Sequence, residues 1–274
     1  MSPPKGERAI VDGEGAGSAE VLIMDIVLLQ NRFSFYVKNF YLTDPAVQLK
    51  YDHSLRVSVN CRVIAESLGL SQDDVDLAYA MGLLHDIGRF EQLRQYHTFS
   101  DGRSMNHAEY GARYLFDKGH IREFLEDSSQ DDILKEAIRQ HSAYELTGSL
   151  TDRQRLFCQL LRDADKVDIF RVYAQYAHKL PIIWNADWRE LLQASVTPAV
   201  MAAARQKHSI KTALKKTPMD YFIGGLCMYF DLVYPKSRQL VREQGFYTKL
   251  LEVHSCNDDA ERCLEEVRGL ISEE

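Results

Sequence analysis

From Val21 onward, apolar residues recur every three or four positions along almost the whole chain, the spacing that lays one apolar stripe along an α-helix. Helix-start signals punctuate this pattern. Ser71 with Asp74, Asn106 with Glu109, Thr197 before Pro198, and Thr217 before Pro218 and Asp220 each put an oxygen acceptor or a proline where a first turn has unpaired N–H groups. On residues 52–68 the buried stripe runs His53, Val57, Asn60, Cys61, Ile64, Leu68. Leu77, Ala80, Met81 and Leu84 lead into His85-Asp86, before Gly88 ends or bends that helix. Leu134, Ala137 and Ile138 run up to His141, Asp165 shares a face with Phe157, Leu161 and Ala164, and His107 falls in the first turn after Asn106. A long helix from about Asp152 to His178 should stop before Leu180-Pro181, because the residue ahead of a proline disfavours the α region. The expected architecture is all-α: a flexible tail over 1–20, a helical domain over 21–180, and a helical extension over 181–274 packed on the same core.

Composition narrows the picture without changing it. The 274 residues are 45% hydrophobic with only 15 Gly and 7 Pro, enough for one large core and too few turn residues for a sandwich or barrel. The opening residues hold Pro3-Pro4, glycines and mixed charge but no apolar stretch of signal-peptide type. No segment reaches the roughly 18 uninterrupted apolar residues of a membrane span. A net charge of −7 argues against a protein that coats nucleic acid, which needs a basic face to neutralise phosphates. It leaves small anionic substrates open, because a metal ion brings its own positive charge. Cys61, Cys158, Cys227, Cys256 and Cys263 are odd in number, dispersed and without a CxxC pair. That pattern suits a reducing compartment, and a cytoplasmic location is expected.

The chemistry concentrates in His53, His85, Asp86, His107, His141 and Asp165. Imidazole and carboxylate hold divalent metals, and each of these residues projects from an apolar stripe or a helix end. A single histidine on such a face is ordinarily a core residue bonded to a carbonyl. The group weighs differently, because two buried carboxylates need compensation and no Arg or Lys is expected on the same buried faces. A metal centre supplies it.

His53, the run Gly82-Leu83-Leu84-His85-Asp86-Ile87-Gly88, and Asp163-Ala164-Asp165-Lys166 together resemble the HD superfamily of metal-dependent phosphohydrolases over about residues 51–170. The resemblance implies an all-helical HD-domain bundle with metal at its middle. His107 and His141 look like the superfamily's binuclear branch: His53, His85, Asp86 and Asp165 would hold one divalent ion, and Asp86, His107 and His141 a second, with Asp86 as the bridge. Mn, Fe, Mg, Co and Zn are not distinguished. There is no Gly-Tyr-Pro signature downstream of Asp86, no acidic pair of the alarmone hydrolases, and no His-Pro-Pro element of the deoxynucleotide triphosphohydrolases. The run from His85 to Gln92, with His107-Ala108-Glu109-Tyr110-Gly111, is most similar to stand-alone bacterial HD proteins, which carries a reaction class and no substrate.

The implied reaction is attack of a metal-held hydroxide on phosphorus in a small anionic substrate, a nucleotide being favoured. Arg89 and Lys166 are the candidate phosphate contacts, against a salt bridge of Arg89 with Glu91 or Glu109 and a solvated Lys166. The loop 96–103 is a candidate pocket wall, with His97 as leaving-group acid or phosphate contact. Lys207, Lys211, Lys215 and Lys216 read as a basic row on a solvated helix face, and the aromatic stretch from Tyr221 to Tyr234 as core. Two rivals stand beside the hydrolase: a di-iron oxygenase of the same superfamily, and a nucleotide sensor without catalysis.

Overall fold

In the computed structural model the described residues are 24–273, apart from 41, 177, 180, 184 and 185, so the tail expected over 1–20 and Leu180 of the expected seam lie outside them. The described chain is all-α and contains no strand. Its helices are α1 (Ile26–Val37), α2 (Pro45–Ser67), α3 (Gln72–Leu84), α4 (Ile87–Tyr96), α5 (His107–Ala112), α6 (Asp131–Gln140) and α7 (Asp152–Tyr176), then α8 (Trp188–Gln193), α9 (Pro198–Ala204), α10 (Pro218–Cys227), α11 (Pro235–Gln244), α12 (Phe246–Leu251) and α13 (Asp258–Ser272).

The helix starts follow local chemistry. Ser71 and Asn106 accept hydrogen bonds from the N–H groups of Asp74 and Glu109, and Thr217 forms a reciprocal capping box with Asp220. Thr197 precedes α9 without capping it; its hydroxyl donates to Asp220 instead. Two boundaries differ from the sequence expectation. α2 begins at Pro45, with the Asp44 carboxylate accepting from Ala46 N, so His53 sits mid-helix and not at a start. α3 stops at Leu84: Asp86 lies outside helical geometry (φ −99°, ψ 18°), and Gly88 belongs to the first turn of α4.

That turn needs glycine. A Cβ at Gly88 would overlap the His107 carbonyl oxygen and come 3.1 Å from Gly111 N, so α4 and α5 meet backbone to backbone. The close approach sets His107 next to Asp86.

The apolar core forms two clusters. Phe33, Ile64, Met81, Phe90, Ile138 and Phe157 belong to the first, which gathers α1 to α6 around α2, α3 and the start of α7. Leu191, Met219, Phe222, Leu226, Tyr247 and Leu264 belong to the second, built from the later helices. α7 carries both: Phe157, Leu161 and Ala164 face the first cluster, Val167 and Phe170 the second. Asp165 and Lys166 therefore lie at the junction. Between α9 and α10 the chain runs through turns, with Lys207 in the left-handed region (φ 53°), so the basic row expected on one helix face does not form. No helix among the described residues is long and apolar enough to cross a membrane.

Candidate metal centre

Five helices deliver six side chains to one place. His53 comes from α2, His85 and Asp86 from the break after α3, His107 from the first residue of α5, His141 from the end of α6, and Asp165 from α7. They form three overlapping groups whose ligand atoms lie within 4.8 Å of one another: His53, His85 and Asp86; His85, His141 and Asp165; Asp86, His107 and His141.

Every imidazole is oriented by its Nδ1. His85 donates to Gly82 O and His141 to Ile138 O, each at 2.7 Å. His53 pairs with Asp168 Oδ2 at 2.7 Å and His107 with Asp101 Oδ2 at 2.7 Å. All four Nε2 atoms are left pointing inward, the arrangement found where a second acceptor fixes the tautomer of a metal-binding histidine. A carbonyl can only accept, so in neutral His85 and His141 the Nε2 carries a lone pair.

These lone pairs test whether a cation fits. His53 Nε2 and His85 Nε2 are buried without a hydrogen-bond partner, although Asp165 Oδ1 lies 3.0 Å from the first. The Nε2 atoms of His107 and His141 face each other at 3.0 Å. Burial holds the pKa of His85 low and pushes that of His107 down to about 3, which keeps both rings neutral. Burial and Lys50 act in the same sense on His53, but Asp165 and Asp168 outweigh them and raise it. Burial likewise opposes the ionised form of Asp86, yet Lys50 and the surrounding histidines hold its carboxyl well below the ordinary range. The neutral imidazoles of His85 and His107 beside the ionised Asp86 are the kind of donors a divalent cation takes.

Asp86 divides its two oxygens. Oδ2 lies 3.6 Å from His53 Nε2 and 3.5 Å from His85 Nε2, while Oδ1 lies 3.3 Å from His107 Nε2 and 3.6 Å from His141 Nε2. Asp165 Oδ1 stands on the first side, 3.7 Å from His85 Nε2.

Cations surround this cluster, against the expectation that none would share its faces. Lys50, three residues before His53 on α2, places its ammonium 2.6 Å from Asp86 Oδ2. A cavity of about 270 Å³ opens onto Asp86, Asp165, His107 and His141, and Lys50, Arg89, Arg162, Lys166 and Lys215 also line it. Arg89 bonds neither Glu91 nor Glu109. Its Nη1 donates to Asp101 Oδ1 (2.8 Å), Phe99 O (2.7 Å) and Gln92 Oε1 (2.6 Å), and its Nε, without a hydrogen bond, faces Asp86 Oδ1 at 3.6 Å. Lys166 is buried, not solvated; burial and Arg162 lower its pKa to about 8. His97 stands elsewhere than expected. It closes α4 in the left-handed conformation (φ 51°) and lines two other grooves with Pro181, away from this cavity. The loop reaches the centre through other residues: Asp101 holds His107, and Phe99 lies under the Lys50 ammonium at 5.3 Å.

Lys50 and Asp168 join the site without having been expected there, and Asp101 enters it from the loop expected as a pocket wall. Asp168 had a signal, since it follows Asp165 by three positions on the same helix face. It anchors His53 and is itself held by Arg56 (2.7 Å), so Asp168→Ala is expected to weaken metal affinity about 10- to 100-fold with little change in fold. Metal titration of the folded variant checks this, and wild-type affinity would make Asp168 a partner of Arg56 alone.

Comparison with known proteins adds one likeness. No curated protein and no solved structure matches the chain. Residues 51–169 match the family model of the HD domain, and this stretch includes all six clustered residues and both residues that anchor imidazoles through carboxylates. Over that segment, and with the six clustered residues inside it, the chain is similar to the HD domain.

Proposed function

We propose that the protein is a metal-dependent phosphohydrolase that uses two divalent ions to cleave a phosphate ester or anhydride in a small anionic substrate, with a nucleotide favoured. The observation that carries this reading is Asp86, whose two oxygens face two separate histidine sets at the floor of a cavity lined by five cationic side chains. His53, His85, Asp86 and Asp165 would hold one ion, and Asp86, His107 and His141 the other. Bound there, the ions would supply Lewis acidity and bring the pKa of water towards neutrality.

The chain's own residues do the rest. Asp101 and Asp168 fix two imidazoles, and the carbonyls of Gly82 and Ile138 fix the others. Arg89, braced through Nη1, lines the cavity beside Asp86 as a donor for phosphoryl oxygens, and Lys166 adds a second. The five cysteines are unpaired, which supports a reducing, cytoplasmic setting.

Arg89→Ala is expected to raise KM about ten-fold with metal content retained, the loss of one charge-assisted contact. An unchanged KM would reduce Arg89 to a brace for Asp101. The proposal as a whole is tested by metal analysis of anaerobically purified protein: two ions per chain support it, and one ion per chain contradicts the bridging role of Asp86. Oxygen consumption by an iron-loaded sample, with no phosphate released, would instead establish the oxygenase chemistry known elsewhere in the superfamily.

A further inference from the structure

One cation in the cavity comes from outside the HD domain. Lys215 lies between α9 and α10, beyond the matched residues 51–169, and reaches the same cavity as Asp86 and Asp165. Its stem is laid across Gly224 of α10: a Cβ at that glycine would stand 2.5 Å from Lys215 Cε and 2.6 Å from its Nζ. Only glycine leaves room for the lysine on this path.

The other cavity cations are largely committed. Lys50 is paired with Asp86, and Arg89 with Asp101 and the Phe99 carbonyl. Arg162 spends its guanidinium on the carbonyls of Gln140, Ala143 and Tyr144, which fastens the turn after His141. Lys166 makes one long bond, 3.5 Å, to Arg162 O. Asp231 also lines the cavity, but it accepts from Ser209 N (3.2 Å) and pairs with His208 (3.0 Å). Lys215 has no carboxylate within 4.0 Å among the described residues, and its ammonium lies 5.7 Å from the Tyr221 ring. The ammonium is half-buried and lines the cavity with no carboxylate partner, so an anion in the cavity would gain a charge-assisted contact there without having to break an existing ion pair.

We propose that Lys215, positioned by Gly224, is a second anion subsite, so that the substrate carries a further anionic group besides the phosphoryl group at the metal centre. This deepens the phosphohydrolase reading and rests on it for the first group. The substrate class is then a small molecule with two separated anionic groups, such as a bisphosphorylated metabolite or a nucleotide with phosphates at two positions. The hydroxyls of Ser209 and Thr212 and the apolar side chains of Ile210 and Met228 line the same cavity and suit the neutral body between them.

Two non-hydrolysable probes test this on the full-length, manganese-reconstituted protein: propylphosphonate and 1,3-propylenediphosphonate, which differ only in the second anionic group. By calorimetry the diphosphonate should bind about ten-fold more tightly, the value of one charge-assisted contact. Lys215→Gln should erase that difference and leave propylphosphonate affinity unchanged. Gly224→Ala should erase it too, by displacing the ammonium without removing a charge, and thermal melting identifies whichever variant is folded. Equal affinities in the wild type, or a difference that persists in the folded variants, would overturn the subsite. If the probes are discriminated but no phosphoester is cleaved, the subsite stands and the hydrolase reading falls. If phosphoesters are cleaved but the probes bind equally, the hydrolase stands and the subsite falls.

Discussion

Asp86→Ala should cost the protein both metal ions and at least about 10³-fold in turnover, equivalent to about 4 kcal/mol of transition-state stabilisation. The side chain is 3% exposed and, among the described residues, is the one carboxylate with oxygens within 4.0 Å of both histidine sets. Loss of it also strands the Lys50 ammonium, 13% exposed and 2.6 Å away, and breaking a buried ion pair from one side costs about 3–5 kcal/mol. The alanine variant should therefore melt lower as well. Asp86→Asn separates the two effects, because it keeps the shape and a hydrogen-bond acceptor for Lys50 while removing the negative charge that faces both histidine sets. Metal analysis and phosphate release on both variants check the prediction, and full metal occupancy with retained turnover would sink the assignment of Asp86.

Gly88→Ala is expected to be the most damaging substitution at a residue that touches no substrate. Helix propensity favours alanine in α4 by about 1 kcal/mol. Against this, the new methyl group would overlap the His107 carbonyl oxygen and press on Gly111 N, and neither backbone atom can turn aside as a side chain can. Overpacking of this kind costs about 3 kcal/mol or more, so a net loss of about 2 kcal/mol or more is expected, read as a drop in denaturant midpoint. Separation of α4 from α5 also carries His107 away from Asp86, so the affinity for a second ion should fall before that for the first. A variant as stable as the wild type, with two ions bound, would contradict the close approach.

The all-α fold is legible in the sequence because the helical period and the capping residues agree along the chain; Ser71, Asn106 and Thr217 do in the structure what their side chains suggest. The six clustered residues are legible for a similar reason: each stands on an apolar face or a helix end, and apolar faces turn inward together. Their surroundings are not. Lys50 neutralises an aspartate 36 positions away, and its partner is fixed only when α2 packs on α3. Asp101 and His97 share a loop, and nothing in its sequence shows that the chain reverses at His97 in the left-handed region, which sends that side chain away from the clustered histidines. Lys215 has the look of a solvated helix residue because lysines at 207, 211 and 215 mimic helical spacing. The turn at Lys207 breaks the row and brings the third lysine into the cavity.

The most direct measurement is phosphate release from a panel of nucleotides and phosphoesters by protein stripped with a chelator and then reconstituted with Mn²⁺, Fe²⁺, Co²⁺ or Mg²⁺. Release should be absent in the stripped protein, return with metal, and be strongest for substrates with two anionic groups. No release with any metal, from a protein that binds two irons and consumes oxygen, would contradict the phosphohydrolase.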